Sequence, residues 1–182
     1  TLTASGGAVP LVEGLLRASP GWANYAVSEG GTLVYATGVI AAETRTLVWV
    51  DREGREDPIS APPRAYTSPR ISPDGTRVAL NARDEEFDIW TWDLARETLT
   101  RLTFDAGTDR FPVWSPDGER IAYSSQRRES SEEFVTALDW RSADGTGAPE
   151  RLAESSGQMF PTAFLPDAAG IVVYGASSDT IA

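Results

Sequence analysis

The chain has 182 residues, with 27 acidic and 16 basic side chains, a formal charge of −11, and neither cysteine nor histidine. The acidic balance argues against nucleic acid as a partner, because phosphate binding needs clustered cations. The missing residue types exclude disulfides, thiolate chemistry, Ser-His-Asp and Cys-His nucleophiles and histidine metal sites, and no apolar run approaches the roughly 20 residues of a membrane-spanning helix.

The first expected element is an outer strand around Pro10-Leu11-Val12. A hairpin follows, from Ala26 to Tyr35, turning at Ser28-Glu29-Gly30-Gly31. Thr46–Asp51 reads as a third strand, aromatic and β-branched and ending in an aspartate that opens a turn. Asp57-Pro58-Ile59-Ser60 reads as a more polar fourth.

The same series then repeats. Arg70-Ile71 leads into Ser72-Pro73-Asp74-Gly75, and Arg77-Val78-Ala79-Leu80 leads out. Asp88–Asp93 is the third strand and Leu99–Thr103 the fourth. Next come Val113-Trp114, the turn Ser115-Pro116-Asp117-Gly118, and Arg120-Ile121-Ala122-Tyr123. Phe134–Leu138 follows as a strand, then a turn over Ala143–Gly147 and an outer strand at Glu150-Arg151-Leu152. A last hairpin runs from Ala163 to Tyr174 through Leu165-Pro166-Asp167-Ala168. The two Ser-Pro-Asp-Gly turns stand 43 residues apart. Proline sets φ for the first central turn position, aspartate hydrogen-bonds its own backbone, and glycine accepts a left-handed conformation.

Four short antiparallel strands at a period of roughly 40 to 50 residues describe the blade of a β-propeller. The expected fold is therefore all-β, a partial ring of about 14 strands with three full blades and flanking strands. The units are placed at about 18–61, 62–104, 105–154 and an incomplete 155–182. A ring of six to eight blades needs roughly 260 to 340 residues, and the sequence begins at Thr1, so the chain reads as a piece of a larger propeller or as one completed by another copy of itself. The flanks around Trp22–Tyr25, Leu33–Tyr35, Phe164 and Ile171–Tyr174 are expected to lie open.

The tryptophans read mainly as packing between blades, with Trp92 nearer a blade edge than Trp90. In a propeller the connection from second to third strand and the connection to the next blade emerge on one side. This places Arg83, Asp105, Asp109, Arg110, Gln126 and Arg127 around one rim, as exposed candidates for binding a protein, a peptide or a polar small molecule. No Gly-x-Ser-x-Gly elbow, Walker loop or Gly-x-Gly-x-x-Gly is present. Catalytic residues, cofactors and metal ligands are therefore not expected.

The phrase Ser-Pro-Asp-Gly with Val78-Ala79-Leu80 or Ile121-Ala122-Tyr123, then Asp88-Ile89-Trp90-Thr91-Trp92-Asp93-Leu94 and Leu99-Thr100-Arg101-Leu102-Thr103, resembles the TolB-type, WD-like propeller repeat. Arg45–Gly54 and Phe111-Pro112-Val113-Trp114 resemble more narrowly the propellers attached to bacterial serine/threonine protein kinases. Related repeats gate prolyl-oligopeptidase-type peptidases. Strong scaffold signals without an assembled nucleophile or metal site point to a non-catalytic interaction or sensing module, and the resemblance implies a periplasmic or extracellular bacterial setting, with self-association of partial propellers as a further expectation. The alternatives are an accessory propeller of a kinase or peptidase whose catalytic domain lies elsewhere, and a propeller enzyme using channel carboxylates.

Overall fold

The computed structural model describes residues 17–18, 22–23, 25–27, 33–36, 44–83, 86–128 and 134–175. The outer strand expected at Pro10–Val12 and the turn at Ser28–Gly31 lie outside them. No helix occurs among these residues. Sixteen strands do, the first two of only two residues each: β1 Arg17–Ala18 and β2 Trp22–Ala23.

Three four-stranded antiparallel sheets follow. The first holds β3 Tyr25–Val27, β4 Leu33–Ala36, β5 Leu47–Val50 and β6 Glu56–Pro58. The second holds β7 Ala65–Ile71, β8 Arg77–Arg83, β9 Phe87–Asp93 and β10 Thr98–Arg101, and the third β11 Thr108–Trp114, β12 Arg120–Arg128, β13 Phe134–Ser142 and β14 Glu150–Ser155. A hairpin of β15 Phe160–Phe164 and β16 Ile171–Tyr174 closes the described chain. In every sheet the strands pair in sequence order, so each is a meander with its first and last strands at opposite edges.

The repeated turn folds as its residues dictate. The Gly75 N–H donates to the Ser72 carbonyl at 2.9 Å, and the Gly118 N–H to the Ser115 carbonyl at the same distance. Gly75 and Gly118 sit at φ 73° and 71°, where side chains are disfavoured. Each turn aspartate accepts from the serine hydroxyl and from a backbone N–H two residues on, at 2.6 and 3.1 Å for Asp74 and 2.5 and 2.9 Å for Asp117.

Blades pack face to face. Val34, Leu47, Tyr66, Val78, Leu80 and Trp92 join the first and second sheets, and Ala79, Ile89, Leu102, Trp114, Ile121 and Tyr123 the second and third. Trp114 also donates its indole N–H to the Arg70 carbonyl at 2.9 Å. The ranking of the paired tryptophans is reversed from the sequence expectation: Trp92 is buried and Trp90 half-buried. Trp92 lies mid-sheet, opposite Val78 on one side and Leu99 on the other, and Trp90 instead lies under the Arg64 guanidinium.

The first blade also departs from expectation. Val34 and Tyr35 are fully buried, not open flank, and the Tyr35 hydroxyl donates to Glu56. Burial and that carboxylate push the Tyr35 phenol up to about 12.

Candidate functional site at the loop rim

Two loops of the second blade meet on the rim. The connection from β8 to β9 and the connection from β10 to β11 are tied by the Gly107 N–H, which donates to Glu86 Oε2 at 2.7 Å. Gly107 allows the approach: at φ 131°, a Cβ there would stand 2.5 Å from the Gln126 carbonyl oxygen.

Just inside, β7 and β11 each carry a bulge, between Thr67 and Arg70 and between Arg110 and Val113. Ser68 and Phe111 occupy equivalent places in these bulges, each before a proline, at φ 53° and 60°. Left-handed conformations at non-glycine residues are uncommon and costly, and bulges of this kind re-aim side chains. Asn81 joins the two bulges, donating to the Thr67 hydroxyl and accepting from the Phe111 N–H at 3.3 Å.

The six rim candidates divide into three groups. Arg83 and Arg110 converge on one ring, Phe87, with guanidinium carbons 5.8 and 4.0 Å from its centroid. Arg83 is exposed but Arg110 is half-buried, contrary to expectation, because the bulged strand carries it over Phe87. Burial, and then the charge of Arg83, hold the Arg110 guanidinium below the usual arginine range.

Asp109 is the larger correction. It is 1% exposed and bridges to Arg127 of the adjacent strand at 2.9 Å, so its carboxylate is buried instead of standing on the open rim. Its position opposite Ser125 on β12 turns it toward the second blade. Gln126 stands half-buried opposite Thr108, and Asp105 is exposed.

Two further buried carboxylates lie within reach of the charge of Asp109. Asp88 pairs with Arg101 at 2.8 Å and Asp139 with Arg151 at 3.3 Å. Burial raises the pKa of both, and the charge of Asp109 adds to it. Tyr123 is raised as well, first by burial and then by Asp109 and Asp139. Among the described residues no group of three or more metal-ligating side chains forms.

Sequence reasoning passed over Phe87, the platform of the cluster. The signal was present: an arginine ends the second strand and a phenylalanine opens the third in both blades, and Arg128 lies 4.7 Å from the Phe134 ring as Arg83 does near Phe87. Phe104, 65% exposed, stacks in the same manner with Arg101 at 5.2 Å. The opposite rim contrasts with this one, since Asp51, Asp74, Asp93, Asp117 and Asp144 turn their carboxylates onto their own backbone amides.

No family model matches the sequence. A protein of Agrobacterium fabrum of uncharacterized function is 34% identical over 92 residues, which are 50% of this chain and 29% of that protein. Among solved structures, one assigned as TolB from Agrobacterium tumefaciens superposes with a TM-score of 0.70 at 18% identity, covering 93% of this chain. TolB from Acinetobacter baumannii superposes at 0.66 with 19% identity over 92%. The fold is that of a TolB-type β-propeller. The chain spans 61% and 42% of those two TolB chains, so its sheets match part of the ring in those structures. A prolyl endopeptidase structure matches with a TM-score of 0.60 at 17% identity, over 85% of this chain and 26% of its own.

Proposed function

We propose that this TolB-type propeller segment is a non-catalytic interaction module of a bacterial periplasmic or extracellular protein, holding a protein or peptide partner at the Arg83–Phe87–Arg110 rim. The observation that carries the reading is the convergence of two arginines on one phenylalanine at a mouth where two loops are pinned together. Stacked arginine and exposed aromatic side chains such as Phe104 and Phe134 are the chemistry favoured where proteins recognise one another. The carboxylates whose pKa is raised, Asp88 and Asp139, are each paired with an arginine on the adjacent strand of the same blade, which favours a role in holding strands together over proton transfer.

The test is affinity capture from extracts of the source cells with four baits: the parent chain, Arg83→Glu, Arg128→Glu, and Glu119→Lys on the opposite rim. All three substituted positions are exposed, so unfolding temperatures should agree. A protein retained by the parent and Glu119→Lys baits but lost from both arginine variants supports the reading. Capture indifferent to the rim charges, or steady hydrolytic turnover by purified chain, overturns it.

The second reading, an accessory propeller of a larger peptidase, rests on the prolyl endopeptidase match and on the 26% of that chain which this segment spans. Sequencing the surrounding reading frame decides it.

A further inference from the structure

The Arg83–Arg110 pair has a property that packing alone does not explain. The nearby Arg101 and Arg127 are each bound to a carboxylate, at 2.8 and 2.9 Å. Among the described residues no such partner reaches Arg83 or Arg110, although the chain carries an excess of acid. Arg110 goes further, since its Nε is buried without a hydrogen-bond partner. A buried N–H donor left unpaired is costly, and two like charges over one ring add to that cost. The stack on Phe87 occupies the flat face of the Arg110 guanidinium and leaves the donors on its edge unspent.

We propose that Arg83 and Arg110, seated on Phe87, form a receptor for a carboxylate carried by a peptide chain, either a Glu or Asp side chain or the free C-terminus. This rests on the reading of the rim as a binding surface. A planar monoanion matches the fork of a guanidinium edge. A phosphate dianion suits the place less well, because the exposed Asp105 and the Glu86 carboxylate stand on the same loops. The low polarity provided by the phenylalanine face strengthens the charge-assisted bonds that a bound carboxylate would make.

The experiment follows the arginine Nε–H and backbone amide resonances of the ¹⁵N-labelled chain during titration. The probes are acetyl-Gly-Glu-Gly amide, acetyl-Gly-Gln-Gly amide, acetyl-Gly-Gly-Gly with a free C-terminus, and inorganic phosphate. Saturable shifts centred on Arg110 and Arg83 are expected with one or both carboxylate peptides, about tenfold tighter than with the glutamine isostere. Arg83→Gln should weaken that binding about tenfold, and Arg110→Lys, which keeps the charge but loses the planar fork, should weaken it as well. The Arg127 resonance should stay in place in each case.

Absence of a saturable shift overturns the proposal. So does equal binding of the glutamine peptide, tighter binding of phosphate, or binding unchanged in both variants. Failure here with rim-dependent capture intact removes the carboxylate and leaves the interaction surface. Shifts at Arg110 with capture indifferent to the rim keep the carboxylate site and remove the protein-partner reading.

Discussion

Gly107 is a rim residue with little room. A Cβ at this position would meet the end of the Arg127 side chain, which can move, and the Gln126 carbonyl at 2.5 Å, which cannot move without shifting β12. Gly107→Ala should therefore lower stability by about 2 kcal/mol and loosen the Glu86 link, a loss readable as a fall of several degrees in Tm. Gly75 differs: nothing lies within 4 Å of its would-be Cβ, so substitution there costs only the left-handed backbone penalty, about 1 kcal/mol. The burial of Asp109 divides the two rim aspartates. Asp109→Ala leaves the half-buried Arg127 guanidinium without its carboxylate and should cost about 2 kcal/mol, whereas Asp105→Ala on the exposed loop should stay within about 0.5 kcal/mol. Urea unfolding of both variants checks this, and equal losses would mean that the Asp109–Arg127 ion pair contributes nothing particular.

The hairpin turn is the element whose chemistry sets the response to acid. Hydroxyl and backbone hydrogen bonds hold the Asp74 and Asp117 carboxyls below the usual carboxylate range, and the same arrangement takes Asp144 to about 2. A depressed folded-state pKa means stability that is complete above the unfolded value of about 3.9 and drains away as pH falls through the folded values. Asp88 and Asp139 act with the opposite sign. Burial raises them, so their contribution declines as pH rises from the unfolded value toward the folded one. Below about pH 4 the turns should dominate. An Asp74→Asn/Asp117→Asn variant should melt below the parent at about pH 6 and converge with it toward about pH 2, and a gap constant with pH would refute the assignment. The turns were legible in the sequence because Ser-Pro-Asp-Gly is local chemistry, complete within four residues. Trp92 and Asp109 were not. Alternation gives the face of a strand that a side chain occupies, but not how far up the neighbouring blade rises to cover it, and that height depends on bulges at Ser68–Pro69 and Phe111–Pro112 which leave no periodic trace.

At the scale of the whole molecule, the packing of successive blades leaves its two ends unequal. The first blade buries Val34 and Tyr35 and exposes Tyr25 and Val27, at 47% and 58%. The last hairpin exposes Val172 and Tyr174, at 51% and 57%, and among the described residues β16 is hydrogen-bonded only to β15. Phe160 is held between Phe111, edge-on at 4.8 Å, and Tyr174, stacked at 6.4 Å, so the aromatic packing runs from the third blade out to this surface. An exposed apolar edge strand is a template for pairing with another chain. The 182-residue chain should therefore self-associate, the β16 end of one copy against the Tyr25–Val27 end of another, and a contact between unlike surfaces must close into a ring or extend as a filament. Light scattering should give a mass above the 19.6 kDa of one chain. Val172→Ser/Tyr174→Ser should return that mass to the monomer while the far-UV circular dichroism of the folded chain is retained, because both side chains are more than half exposed. A parent chain that is already a single monomeric species refutes the prediction, and an oligomer that survives the double substitution places the contact elsewhere.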